Sequence, residues 1–449
     1  MSERTGRGSN FEPGSKTREL MEVRNENVAR GISSVMPVFV KETRGAQVVD
    51  IEDNVFIDFA GGIGVVNFGH NHPSVVEAIK NQADKYLHTC FMVAMYEPYV
   101  RLAARLNDFT PGSFPKKTAL FNSGAEAVEN SVKLARRFTK KTAIVSLECA
   151  FHGRTLMAMS LTSKVKPYKY GFGPFAPDVY KIPAPYCYRC RFGLTYPGCG
   201  LHCAHYLEQF LAVECSADNV AAVLAEPVQG EGGFIVPPPD YFKVLHDICR
   251  RNGILLILDE IQTGFYRTGG SLASYHYNVT PDMITMAKSL AGGVPISALT
   301  GRAEVMDAAG PGEIGGTYGG NPLGCAAALA VFEAADRENI AQIAKDTGTA
   351  AAARLQAMKE KFSLIGDQRG LGAMQAIELV KDRSTKEPAA EEAKAIVKRC
   401  HERGLIIITA GIYSNVIRLL MPVNIPHEQL NRGLDILEEA IAEEQGGHR

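Results

Sequence analysis

Three apolar runs, at residues 220–225, 254–258 and 283–287, constrain the fold of this chain more than any other feature. Each has the length of a strand, none alternates apolar with polar residues, and helix-length stretches separate them. Strands of that kind are buried on both faces, as in a parallel sheet with helices packed above and below. Residues 143–147 and 297–300 extend the pattern. The expectation is an α/β fold built on a mostly parallel, helix-covered sheet. The three central runs also end alike, each leading into an ionisable residue: Glu226, Asp259 and Lys288. In an open α/β sheet that trailing edge is where ligands bind. Taken singly, either acid also suits a helix cap or a surface turn, and the lysine suits a strand running out to the surface. A lysine at the end of a buried strand is nonetheless costly to desolvate, so its amine tends to be discharged and nucleophilic. That is the state needed for a Schiff base with an aldehyde.

With 449 residues, 46% of them hydrophobic, the chain has material for a large core divided between two lobes. Residues 1–20 read as a flexible arm, 21–72 as the first part of a small domain, 73–330 as a large domain and 331–449 as the rest of the small α+β domain. Short strand-like pieces at 38–40, 47–50 and 55–58 predict an antiparallel element. Capping boxes are expected at Ser74 with Glu77 and at Ser123 with Glu126. Past an Ala-rich helix, strands are expected at 374–379, 405–409 and 417–420, with helices at 390–403 and from 427. A net charge of −1 without charged blocks gives no nucleic-acid surface. No run of 18 apolar residues exists and the start is polar, so a cytoplasmic protein with reduced cysteines and no membrane partner is expected.

Two stretches suit a phosphate. Ser123-Gly124-Ala125 opens a helix, where free N–H groups, the helix dipole and a hydroxyl converge; Glu126 would serve the cap. Thr317 sits among the small residues of 315–322, a pattern that also fits a surface loop.

Six ordered motifs then stand out: Asn-Ser-Gly-Ala-Glu-Ala at 122–127, Phe-His-Gly-Arg-Thr at 151–155, Glu-Pro-Val-Gln-Gly-Glu-Gly-Gly at 226–233, Asp-Glu-Ile-Gln-Thr-Gly at 259–264, Ala-Lys-Ser-Leu-Ala-Gly-Gly at 287–293 and Gly-Thr-Tyr-Gly-Gly-Asn-Pro at 316–322. Together they resemble the class III aminotransferases, from about residue 30 to the end. The resemblance implies pyridoxal 5′-phosphate as cofactor, the fold-type I architecture with a seven-stranded type of sheet, and a homodimer, or a tetramer built from it, with shared active sites. It makes Lys288 the Schiff-base lysine and Asp259 the partner of the pyridine nitrogen, which opposite charge would keep protonated. Phe151 and Ile261 would cover the ring faces and Gln262 would reach the ring oxygen. His152 and Glu226 also count among the cofactor-binding positions. Ser123, Gly124 and Ala125 would hold the phosphate, and Thr317 would reach the phosphate of the neighbouring subunit.

The same resemblance implies the substrates. Arg154 matches the arginine that grips the distal carboxylate of an ω-amino acid, and Arg418 matches the one that takes the α-carboxylate of glutamate. Glu231 matches a carboxylate gate over Arg418, and Ile63 an apolar pocket position. An unpaired buried Arg418 would be strongly unfavourable when the substrate carries no α-carboxylate; Glu231 pairing with it would remove that cost, and the surrounding glycines would let Glu231 move. The expected reaction passes the amino group of an ω-amino acid, 4-aminobutyrate ahead of 5-aminovalerate or β-alanine, to 2-oxoglutarate, giving succinic semialdehyde and glutamate in a ping-pong cycle. Lys288 would serve as its general base. Racemisation on the same scaffold is the alternative, disfavoured by the retention of Arg154, Glu231 and Arg418.

Cys187, Cys190, Cys199 and Cys203 form a cluster within an insert at 183–205. Their spacing suits a structural zinc site, redox disulfides or free thiols; no metal is assigned to the active site.

Overall fold

The structure, a computed structural model, describes residues 13–447. The expected arm lies mostly outside the described residues, and its last part is corrected: from Ser15 the chain is helical (Ser15–Asn27), docked by the Thr17 amide donating to Glu52 at 3.1 Å. Its Lys, Arg and Glu residues are good helix formers, which outweighs their polarity. Strands β1 (Val40–Arg44), β2 (Gln47–Asp50) and β3 (Val55–Asp58) form the expected antiparallel ladder, with β1 starting later than the 38–40 piece suggested. The helix Pro73–Ala83 takes proline at its first position, so His72 is the N-cap and Ser74 lies inside the first turn. No capping box forms there; the Ser74 hydroxyl accepts from Arg337 instead.

Seven strands make the central sheet: β4 (Lys116–Phe121), β5 (Ala143–Leu147), β6 (Val179–Ile182), β7 (Val220–Ala225), β8 (Leu255–Asp259), β9 (Met283–Met286) and β10 (Ser297–Arg302), in the spatial order β4-β10-β9-β8-β7-β5-β6. Only β10 runs against its neighbours. All the other strands therefore leave the sheet at one edge. The absence of alternation has its cause here. Leu256 and Leu258 of β8 pack into one apolar cluster, Leu255 and Ile257 into another, so both faces of the strand are core. β4 and β6 carry no such signal: β4 opens on two lysines at one sheet edge, and β6 is a four-residue strand at the other.

The helices Pro322–Glu338 and Ile340–Lys361 lead to β11 (Ile365–Leu371), β12 (Met374–Leu379), β13 (Leu405–Ile406), β14 (Ile408–Ala410) and β15 (Val416–Leu419). A second sheet runs β11-β12-β15-β14, while β13 pairs in parallel with β3. The run expected as one strand at 405–409 thus breaks at Ile407 and serves two sheets. This pairing ties the C-terminal part of the chain to the ladder near residue 50. Among the described residues no helix is long and apolar enough to cross a membrane.

Candidate active site

At the common strand edge lies a cavity of about 360 Å³, lined by Ser123, Gly124, Ala125, Phe151, His152, Glu226, Asp259, Ile261, Gln262 and Lys288. These are the residues singled out for the cofactor, except Thr317, which stands on an exposed loop and lines neither this cavity nor the next. An adjoining cavity of about 1420 Å³ takes in Ile63, Arg154, Glu231 and Arg418, and shares Phe151, Glu231 and Lys288 with the first.

Asp259 ends β8 with its carboxylate buried. One oxygen pairs with His152 Nδ1 at 2.7 Å; the other accepts from the Ile261 amide and from Thr285 Oγ1, both at 3.1 Å. Its neighbour Glu260 goes the other way and caps the turn at Ala273 and Ser274. Glu226, just past β7, spends one oxygen on the Phe151 amide at 2.9 Å and the other on the Gly230 amide at 3.0 Å. It therefore fixes two loops of the cavity wall. Burial, reinforced by the Asp259 charge, pushes its pKa up to about 8. Lys288 follows β9 with φ +46°, a left-handed backbone that non-glycine residues adopt rarely and that gathers at functional sites. Burial lowers its pKa to about 8, against the pull of Glu231, with Arg418 adding to the drop.

The cavity fits pyridoxal phosphate. At the start of the helix Gly124–Thr139, Ser123 and Glu126 form the expected capping box, which engages the amides of Asn122, Ser123 and Glu126. Gly124 and Ala125, whose amides have no intrahelical acceptor by position, line the cavity. His152 Nε2 and Gln262 Oε1 are buried polar atoms without a hydrogen-bond partner. Both residues line the same cavity, and buried polar atoms rarely stay unpaired in a working protein. The side chain of Ile261 lies so close to Gly124 that a Cβ there would stand 2.7 Å from it.

Glu231 and Arg418 meet across the second cavity. Arg418 Nη1, from β15, donates to Glu231 Oε1 at 2.5 Å, and the Tyr168 hydroxyl donates to the other oxygen at 3.3 Å. Burial alone would raise the Glu231 pKa, but the Arg418 guanidinium brings it down to about 2. The glycines around Glu231 act differently from expectation. A Cβ on Gly230 would fall 1.9 Å from Gln262 Oε1, one on Gly232 2.5 Å from the Cys149 carbonyl, and one on Gly233 3.0 Å from Val416. They permit close packing, and the turn is closed by Gly233 N–H to Gly230 O at 3.1 Å and by Gly411 N–H to Glu231 O at 3.0 Å. Any movement of Glu231 is left to its side chain. Ile63, at φ +64° and half exposed, projects from a Gly-rich turn on the cavity wall. Arg154 is exposed, its guanidinium 4.8 Å above the Tyr168 ring.

Sequence reasoning did not find Tyr168, Lys164 or Thr285. None belongs to a recognisable motif, and each enters through the fold: Lys164 donates to Gly411 O and Ser414 Oγ, both at 2.8 Å. The four clustered cysteines line one small cavity with His202, and all are free thiols. Among the described residues, no group of three or more Cys, His, Asp or Glu stands at metal-binding geometry.

Residues 28–441 match the family model for class III aminotransferases. The chain is 47% identical to a probable 4-aminobutyrate aminotransferase of Bacillus subtilis, over 95% of this chain and 98% of that one. It is 44% identical to a 5-aminovalerate aminotransferase of Pseudomonas aeruginosa, over 96% and 99%. Among solved structures, an amine transaminase from an uncultivated Pseudomonas species, in its pyridoxal-phosphate-bound form, superposes with a TM-score of 0.85 at 29% identity, over 98% and 100% of the two chains. With a lysine, an aspartate and a helix start assembled at one sheet edge, this chain belongs to the class III aminotransferases, a family of pyridoxal-phosphate-dependent enzymes.

Proposed function

We propose that this enzyme moves the amino group of an ω-amino acid, 4-aminobutyrate ahead of 5-aminovalerate or β-alanine, to 2-oxoglutarate, releasing succinic semialdehyde and glutamate. The observation that carries the reading is the Glu231–Arg418 pair beside Lys288. Glutamate brings a carboxylate on its reacting carbon; 4-aminobutyrate does not. A buried arginine left without a partner in one half of the cycle is strongly unfavourable. Glu231 supplies that partner for the ω-amino acid and turns its side chain aside for glutamate or 2-oxoglutarate. Arg154 grips the distal carboxylate, and Ile63 shapes the apolar wall between. Named activities of the two relatives above, on 4-aminobutyrate and 5-aminovalerate, agree with an ω-amino donor.

Pyridoxal phosphate, when bound, supplies the carbonyl that carries the amino group and a ring that draws electrons from the substrate carbon. The chain's own residues do the rest. Lys288 Nζ, its pKa brought down to about 8 by burial, would act in its uncharged form, taking the proton from the substrate carbon and delivering it to the cofactor carbon that receives the amino group. Asp259, oriented by His152 and Thr285, would pair with the ring nitrogen and favour its protonated state. Phe151 and Ile261 would cover the ring, Gln262 would hydrogen-bond its oxygen, and Ser123, Gly124 and Ala125 would hold the phosphate, while Glu226 fixes the loop that carries Phe151.

We also infer a homodimer in which Thr317 serves the partner's phosphate. The Thr317 loop carries the exposed Tyr318 and comes close to the exposed Met92, whose sulfur a Cβ on Gly315 would meet at 2.7 Å; Val93 and Met95, next to Met92 in sequence, are exposed as well. Patches of that kind mark subunit contacts. A small domain built from residues 21–72 and 331–449 flanking a large domain at 73–330 is consistent with the β3–β13 pairing. Ten free cysteines suit a reducing compartment such as the cytoplasm.

The test is a single-turnover screen. Cofactor-loaded enzyme is mixed with 4-aminobutyrate, 5-aminovalerate, β-alanine or glutamate without an acceptor, and loss of the yellow absorbance is followed. Fast bleaching by both 4-aminobutyrate and glutamate is expected. Bleaching by glutamate with no response to any ω-amino acid overturns the reading.

A further inference from the structure

The Tyr168 side chain touches both Arg154 and Glu231, the carboxylate that pairs with Arg418. Its hydroxyl donates to Glu231 Oε2 at 3.3 Å, the oxygen that Arg418 leaves free. Its ring lies under the Arg154 guanidinium at 4.8 Å and against the Phe151 ring at 4.9 Å. The segment that carries it is pinned on both sides. Lys164 donates to Gly411 and Ser414, and Lys169 to the Thr162 carbonyl at 3.1 Å. Gly411 in turn holds the backbone of Glu231. The tyrosine therefore sits on a fixed strap across the cavity, against a Glu231 whose backbone is also fixed.

Resting on the function proposed above, we infer that Tyr168 is a specificity-determining residue that sets the balance between the two half-reactions. It holds Glu231 on Arg418 and presents Arg154 to the distal carboxylate. The hydroxyl adds a hydrogen bond to the paired position of Glu231 and gives none once the carboxylate swings away, so it favours the geometry needed for an ω-amino acid. The ring acts separately: its face attracts the guanidinium of an otherwise exposed Arg154 and limits where that arginine stands. Burial, and then the Glu231 charge, push the phenol's pKa up to about 12, so it remains a donor at any working pH.

Two variants separate these contributions. Tyr168→Phe removes only the hydroxyl, and the ratio of the 4-aminobutyrate to the glutamate single-turnover rate constants should fall about tenfold, the worth of one hydrogen bond to a charged group. Tyr168→Leu also removes the ring, and the 4-aminobutyrate concentration at half-saturation should rise a further several-fold beyond that of Tyr168→Phe, because Arg154 loses its platform. A merely structural tyrosine would lower both half-reactions together and leave their ratio unchanged; that result, or no change in either, overturns the assignment. Wild-type enzyme that reacts with glutamate and with no ω-amino acid would instead remove the functional reading, and this proposal with it.

Discussion

Arg418 and Glu231 form an ion pair at 2.5 Å between β15 and the 230–233 turn, with the arginine side chain almost wholly buried and the glutamate mostly so. Removing one partner of such a pair leaves a buried charge, which typically costs about 3–5 kcal/mol. Glu231→Ala should therefore lower the melting temperature of the enzyme. It should also slow the 4-aminobutyrate half-reaction by about two orders of magnitude, while the glutamate half-reaction, whose own carboxylate meets Arg418, is affected far less. Stopped-flow single turnovers with each amine check this. Equal losses in both would remove Glu231 from the role given to it.

The pH dependence of stability has a definite sign. Arg418 holds the Glu231 pKa at about 2 in the folded protein, against 4.5 for an ordinary glutamate. A depressed carboxylate stabilises fully above the ordinary value and loses that contribution as pH falls toward the folded one. The stability difference between wild type and Glu231→Gln should thus be constant above about pH 4.5 and shrink between pH 4.5 and 2. Glu226 has the opposite sign: its pKa is raised to about 8, so its contribution is fullest below 4.5 and declines as pH climbs toward 8. Denaturant titrations of the cofactor-free protein and the two glutamine variants, at several pH values, read both trends.

The glycines beside Glu231 make a steric prediction. Gly230→Ala places a methyl group against Gln262, and Gly232→Ala places one against the Cys149 backbone, which cannot retract like a side-chain tip. Overpacking of this kind costs about 1–3 kcal/mol. Both variants should lose stability, Gly232→Ala more than Gly230→Ala, as measured by chemical denaturation. If Glu231 needed a mobile backbone, the loss would appear in turnover without a loss of stability.

How much of this was legible in the residues themselves depends on distance along the chain. β5, β7, β8 and β9 were readable because both faces of each are buried, leaving an unbroken apolar run. β4 and β6 were not, because sheet edges place polar residues within the strand. Lys288, Asp259 and Glu226 were readable because each follows its own strand. Tyr168 and Lys164 were not, since the hydrogen bonds that bring them to the site, Tyr168 to Glu231 and Lys164 to Ser414, join residues 63 and 250 apart in sequence, and no local spacing encodes them. The 230–233 glycines were misread for the same reason: what crowds them, Gln262, Cys149 and Val416, comes from elsewhere in the chain.

Lys288 sets the pH dependence of cofactor capture. Burial lowers its pKa to about 8, and only the uncharged amine attacks an aldehyde. Below that pH the attacking fraction falls about tenfold per unit. The second-order rate at which cofactor-free enzyme turns yellow with pyridoxal phosphate should climb from pH 6, reach half its maximum near pH 8 and level off about one unit above that. A profile still rising steeply to pH 10 would mean that the lysine keeps its ordinary pKa, and Lys288→Ala should show no colour change at any pH.

Thr317 is exposed and lines neither cavity of its own chain. If it completes the phosphate site of a partner subunit, the defect of Thr317→Ala resides in the neighbour's site. Mixing Thr317→Ala with Lys288→Ala subunits then has a specific outcome. In the hybrid dimer, the Thr317→Ala protomer retains its own Lys288 and receives an intact Thr317 from its partner, so one site per dimer is whole. Hybrids should regain up to about half of wild-type activity at limiting pyridoxal phosphate, although each parent is impaired: Lys288→Ala is inactive and Thr317→Ala needs roughly tenfold more cofactor, the loss of one charge-assisted hydrogen bond. Were Thr317 to act within its own chain, the hybrid would contain no complete site and mixing would restore nothing. Activity titrated against cofactor, in subunits exchanged under mild denaturant and purified by two different affinity tags, distinguishes the two arrangements.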